Sequence, residues 1–289
     1  MSTDAAPLPF GGRLRDALDT RGPLCVGIDP HPSLLADWGL AQDAAGLERF
    51  TRTVVEALAD SVAVLKPQSA FFERFGSAGI AVLERAVADA RSAGALVVMD
   101  AKRGDIGSTM TAYAAAYLDP SAPLFCDAVT LSPYLGFGSL RPALDRAREA
   151  GAGVFVLALT SNPEGAQVQR AVGTDGRAVA AAVLAALAEE NRGAEPLGSF
   201  GAVVGATLTA PSADLAVNGP LLAPGFGAQG ATAGDLPRVF GAVARNVVPS
   251  VSRDVLRAGP SAAGLLSAAR RWADDLAQAL ESAPGAGGA

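Results

Sequence analysis

The sequence predicts an α/β protein of the (β/α)8, or TIM-barrel, class. Two observations carry this prediction: eight apolar runs of strand length, and amphipathic Ala/Leu/Arg/Glu segments between them, within a chain of 289 residues. The runs are hydrophobic almost without interruption, as strands covered on both faces must be. Eight strands alternating with helices over about 250 residues is the arithmetic of a closed barrel. A doubly wound open sheet is the structural alternative. It would more often carry a glycine-rich phosphate loop after its first strand, whereas here that strand runs into GIDPHP.

Taken in order, residues 13–20 can form a short helix that closes the bottom of the barrel ahead of the first strand. Strands are expected at residues 24–28, 62–65, 95–99, 128–131, 154–159, 202–205, 221–223 and 246–248. Apolar residues at helical spacing place helices at 47–59, 80–92, 139–149 and 178–190. The tail from Ser282 is rich in Gly and Ala, so residues 283–289 are expected to be a flexible end. No second domain, linker or repeat beyond the βα unit is visible, and the expectation is one barrel domain over residues 1–289 with residues 1–20 as an N-terminal extension.

Composition narrows the function classes. Half of the residues are hydrophobic and 18% are charged, which suits a chain with a sizeable core and not a disordered one. A net charge of -6 argues against nucleic acid or an anionic membrane surface as partner. No uninterrupted apolar stretch has the length of a transmembrane helix. The N-terminus lacks the charged and apolar regions of a secretory signal, so a cytoplasmic protein is expected. Cys25 and Cys126 lie in separate apolar runs and read as small buried hydrophobes in a reducing compartment.

The basic residues are the most informative part of the composition. Of 23, two are lysine, Lys66 and Lys102, and the rest are arginine. Arginine cannot give up its proton near neutral pH, so lysines that persist against such a bias mark places where arginine will not serve. Both fall at expected strand ends, where the working residues of a barrel lie. Reading those ends in order gives Asp29, then Lys66, then DAKRGD from Asp100 to Asp105. Ser161 within TSNP follows, then Pro224 to Gly230, and finally Ser252 and Arg253. In an extended strand Asp100 and Lys102 share a face, and Lys66 from the neighbouring strand can join them. Such a row keeps each member charged in a poorly hydrated site and sets a lysine proton donor beside carboxylates. A structural ion-pair network on the rim is the plain alternative; charged clusters at strand C-termini more often serve function. PGFGAQG alone would be an ordinary glycine-rich turn, but Arg253 one loop later makes the pair suited to an anion. His31 either lines the site or caps the first helix. Tyr134 and Phe71–Phe72 read as packing. Arg103 should point away from Asp100 and Lys102 and serve structure at a subunit contact.

DAKRGDIGST resembles the Asp-x-Lys-x-x-Asp signature of the orotidine 5'-phosphate decarboxylases, and its Lys-Arg-Gly interior resembles their bacterial type 2 subfamily. The resemblance extends through GIDPHP, LKPQSAFFERFG, TLSPYLG, LTSNPEGA, APGFGAQG and PSVSRD, from about residue 24 to 254. It implies conversion of orotidine 5'-phosphate to uridine 5'-phosphate and carbon dioxide, the last step of de novo pyrimidine synthesis, with no metal or organic cofactor. It implies Asp29 and Lys66 on the ribose hydroxyls, Asp100 near the substrate carboxylate, and Lys102 as proton donor to C6 of the ring. Asp105, Ile106 and Thr109 would reach into the partner's site across a homodimer. Ser161 would hold the pyrimidine, and Pro224 to Gly230 would form a closing loop with Gln229 on the phosphate. Arg253 would grip that phosphate, with Ser252 beside it in the substrate site. Magnesium-dependent 3-keto-6-phosphogulonate decarboxylases and hexulose phosphate synthases resemble the same signature, but want a further carboxylate at the second strand end, where this chain has Lys66. A non-catalytic phosphometabolite-binding barrel would be expected to lose part of the charge row.

Overall fold

The structure, a computed structural model, describes residues 8–209 and 213–282. Eight parallel strands close on themselves in sequence order: β1 (Cys25–Ile28), β2 (Val64–Pro67), β3 (Leu96–Arg103), β4 (Ala128–Leu131), β5 (Gly153–Leu159), β6 (Phe200–Val204), β7 (Leu221–Pro224) and β8 (Val247–Val251). Closure is made by β8 against β1, where Cys25 pairs with Ser250 and Val26 with Val251. The barrel expected from the apolar runs is therefore the observed architecture.

The expected helices are present with shifted ends, at Phe10–Arg21, Ala44–Leu58, Gly76–Ser92, Arg141–Ala150 and Val179–Glu190. Asp43 begins the second of these by accepting a bond from the Gly46 amide at 2.8 Å. The run expected from residue 139 starts as a 3-10 turn, Phe137–Leu140, because Pro142 suits only the first turn of the α-helix that follows. Gly151 ends that helix at φ 65°. Further helices, Gly107–Leu118 and Ala262–Glu281 among them, complete the outer layer. The expected tail at residues 283–289 lies outside the described residues.

Two hydrophobic clusters build the molecule. The larger fills the space between sheet and helices. The smaller fills the bottom of the barrel, where Phe10, Leu14 and Leu18 of the N-terminal helix meet Cys25, Val64, Leu96, Val98, Phe155 and Val248. Phe10 meets Phe155 edge to face at 6.0 Å. A Cβ on Gly153 would stand 2.2 Å from the Phe10 ring, so only glycine admits the plug at that point. Asp127 is buried beside it and fully engaged: Arg13 donates at 2.6 Å, Arg91 at 3.3 Å and the Val97 amide at 2.9 Å. Both cysteines are free and buried, and burial pushes each thiol up to about 12. No helix among the described residues is long and apolar enough to cross a membrane.

Candidate active site

At the carboxyl ends of the strands lies a cavity of about 390 Å3. Lys66 of β2, Asp100 and Lys102 of β3, Asp29 after β1, Pro224 and Gln229 after β7, and Ser252 and Arg253 after β8 line it together.

The charged row is built by strands that run further than their apolar patterns suggested. β2 was expected to stop at residue 65 but continues to Pro67, so Lys66 sits inside the strand paired with Gly27. β3 was expected to stop at residue 99 but continues to Arg103. Both extensions survive burial because their charges neutralise one another. Lys66 Nζ donates to Asp100 Oδ2 at 3.2 Å, and Lys102 Nζ donates to Asp100 Oδ1 at 2.6 Å. Burial works against the Lys66 charge, but the facing Asp100 and then Asp29 outweigh it and hold the ammonium above the usual lysine range. Burial likewise works against the Asp100 charge. Lys66 and then Lys102 overcome it and keep the carboxyl well below the usual carboxylate range.

The two lysines differ in access. The Lys66 side chain is 6% exposed and that of Lys102 is 45% exposed, so Lys102 presents its ammonium to the cavity while Lys66 backs the carboxylate from below. Asp100 and Lys102 reach one another as side chains on a common face should, but β3 is not regular there. Lys102 has φ 49°, in the left-handed region, and the register against β4 shifts between Met99 and Arg103. Arg103 points away, toward Glu73, the Tyr117 hydroxyl and the Tyr113 ring.

On the far side of the cavity two polar atoms stand out. Asp29 Oδ1 and Ser252 Oγ are buried and find no hydrogen-bond partner among the described residues. Arg253 has no carboxylate partner among the described residues either, which leaves its guanidinium for an anion in the cavity. The loop after β7 is compact: Gly225, Gly227 and Gly230 have φ of 121°, 73° and 103°. Hydrogen bonds from the Gly227 amide to the Ala231 carbonyl and from the Ala231 amide to the Gly225 carbonyl tie it together. A Cβ on Gly227 would stand 2.4 Å from Asp254 Oδ2, so the loop packs directly against the segment that carries Arg253.

Five expected site residues do not line the cavity of this single chain. Asp105, Ile106 and Thr109 lie beyond the end of β3, where the Ile106 side chain projects outward at 62% exposure. Ser161 is exposed on the loop after β5, and Gly230 lies behind Gln229. Tyr134, expected to pack, is 76% exposed, whereas Phe72 is fully buried. Gln68, Phe71, Ser250 and His31 line the cavity. Of these, Phe71 was expected to pack, Gln68 and Ser250 lay within the resembling motifs with no role given to them, and His31 was weighed for the site as the lone histidine directly after a strand end. It occupies the N-cap position of Pro32–Asp37 but makes no side-chain capping bond, and its ring meets Phe71 at 4.3 Å.

A closed parallel barrel with a charge row, an arginine facing the cavity and a glycine-rich loop at its carboxyl rim has the anatomy of a TIM-barrel enzyme for a small anionic substrate. Comparison with known proteins makes this specific. Residues 22–266 match the orotidine 5'-phosphate decarboxylase / HUMPS family. An orotidine 5'-phosphate decarboxylase of Streptomyces coelicolor is 72% identical over 273 residues, covering 94% of this chain and 98% of that protein. The crystal structure of a Streptomyces avermitilis protein superposes with a TM-score of 0.95 at 68% identity, covering 98% of this chain and 99% of that one. The Leishmania donovani OMP decarboxylase superposes with a TM-score of 0.75 at 30% identity, covering 96% and 100%. The chain belongs to the orotidine 5'-phosphate decarboxylase / HUMPS family.

Proposed function

We propose that the chain decarboxylates orotidine 5'-phosphate to uridine 5'-phosphate, the last step of UMP synthesis, and that Lys102 supplies the proton. The observation that carries this reading is the Lys66–Asp100–Lys102 row in one cavity with Arg253. In the reaction the bond from C6 to the carboxylate breaks. Its electron pair stays on C6, carbon dioxide leaves, and an N–H of Lys102 protonates C6; the amine then recovers a proton from solvent. The carbanion has little delocalisation, so a fixed positive field must carry much of the stabilisation. Lys102 is held 2.6 Å from Asp100 and supplies both field and proton. The ionised Asp100 faces the substrate carboxylate and favours its departure.

Asp29 and Lys66 hold the ribose hydroxyls in this reading, and the unpartnered Asp29 Oδ1 supports it. Ser252, Gln229 and Arg253 take the phosphate end. The phosphate is remote from C6, so its binding energy acts by closing Pro224–Gly230 and orienting the ring. Ser161 meets the pyrimidine once that site is closed. Asp105, Ile106 and Thr109 complete the partner's site in a homodimer. The exposed Ile106, Tyr134 and Leu135 on loops after the neighbouring strands β3 and β4 support a covered face there. The family name spans a second chemistry. Lys66, which opposes a divalent cation at the end of β2, favours the first.

The test is the fall in orotidylate absorbance on adding the protein, with and without EDTA. Turnover that EDTA leaves unchanged is expected. No turnover, or turnover lost to EDTA and restored by magnesium, would overturn the reading.

A further inference from the structure

The irregular stretch of β3 is held by one side chain that lies outside the cavity lining. On the β2 side the ladder stays regular as far as Asp100, which bridges to Gln68. On the β4 side it breaks. Met99 pairs with Val129 and Arg103 with Leu131, so β3 advances four residues while β4 advances two. The shifted stretch carries Asp100 and Lys102, whose side chains line the cavity. In a regular strand the alternation set by Leu96, whose amide donates to Ala63 beside β2, would aim the Lys102 amide at β2. Here it donates to the Thr130 hydroxyl at 2.9 Å, and that hydroxyl donates in turn to Asp100 Oδ1 at 3.0 Å. Thr130 is 1% exposed, so no water stands ready to replace it. The same oxygen therefore ties the backbone of one charged residue to the side chain of the other, at a position where a non-glycine residue holds φ 49°.

We propose that Thr130 is the positioning residue of the reaction, its hydroxyl fixing the β3 bulge in the shape that presents Lys102 to Asp100. The proposal rests on the decarboxylase reading given above. Without the hydroxyl, the Lys102 amide loses its partner on β4, and the strand relaxes toward regular alternation, which turns the ammonium away from C6. A rim contact that moves by about 1 Å costs on the order of 100-fold in rate.

The experiment compares Thr130→Val, which keeps the shape, with Thr130→Ser, which keeps the hydroxyl. Steady-state kinetics on orotidine 5'-phosphate are read beside the affinity for uridine 5'-phosphate. In Thr130→Val, kcat is expected to fall by about 30- to 100-fold. KM and product affinity stay within about threefold, because ribose and phosphate are gripped elsewhere. Thr130→Ser is expected to recover kcat to within about fivefold of the parent. Thr130→Ala stands in for the valine variant if the latter does not fold, with the same expectation. Unchanged kcat in the variant lacking the hydroxyl, a parallel loss of product affinity, or a serine variant as slow as it, overturns the proposal. An inactive parent protein would instead sink the decarboxylase reading.

Discussion

Lys102 has one property that an arginine could not reproduce: its ammonium, held 2.6 Å from Asp100, carries a proton it can release. Lys102→Arg is accordingly expected to lose kcat by about 1,000-fold although the charge is kept, the scale of a lost general acid. Wild-type turnover in that variant, with an unaltered pH profile, would remove Lys102 from the donor role. Asp100 makes a separate prediction about stability. Its folded carboxyl lies below the ordinary 3.8 of an aspartate, held there against burial by Lys66 and then Lys102. The stabilisation is thus complete above the unfolded value and disappears as pH falls from there toward the folded one. Wild type is expected to exceed Asp100→Asn by about 3 kcal/mol near neutral pH, the cost of leaving a buried lysine unpaired. Denaturant unfolding should show this margin constant down to about pH 5 and shrinking below about pH 4. A margin that persists unchanged to pH 3 would mean that Asp100 does not carry it.

Among the elements, the loop after β7 and the start of Arg253–Leu256 act as one unit, because Gly227 packs on Asp254. Arg253→Ala is expected to raise KM for orotidine 5'-phosphate by about 100-fold or more and to lower kcat/KM with it, the loss of a charge-assisted pair. Decarboxylation of the phosphate-free nucleoside should change little. An equal loss on both substrates would assign Arg253 to structure. At this scale the sequence showed every strand, since apolar runs covered on both faces leave a plain signature. Their carboxyl ends were harder to read. Lys66 and Asp100 looked like stops because charges end apolar runs, yet each remains in its strand by pairing with the other. The last strand was expected to stop at residue 248, yet Pro249 holds its place opposite Ala223 and β8 continues to Val251. Thr130 had no signal at all: a threonine in an apolar run reads as an ordinary strand former, and its partners come from another strand. Ser161 and Asp105 stood at expected strand ends, but roles for them came from motif resemblance alone, and a single chain brings neither into the cavity.

For the whole molecule, the expected shared site gives a test that needs no structure of the assembly. If Asp105 serves the partner's site while Lys102 serves its own, then Lys102→Ala and Asp105→Ala fail separately but complement when mixed. Random exchange makes about half of the dimers mixed, and each mixed dimer has one site with both groups intact, so roughly a quarter of sites recover. Co-refolding equal amounts and measuring orotidylate consumption checks this. Activity that stays at the sum of the two parents, with exchange verified by a mass tag, would show the groups acting within one subunit. The plug of Phe10, Leu14 and Leu18 has its own consequence for traffic. It fills the floor of the barrel beneath the cavity, which opens at the carboxyl ends of the strands. Orotidylate enters, and carbon dioxide and uridylate leave, past the same rim of Gln229 and Arg253. If Arg253 grips the phosphate as proposed, a bound nucleotide blocks the next arrival until it is released, and adding a viscogen should slow steady turnover more than a single turnover of pre-bound substrate.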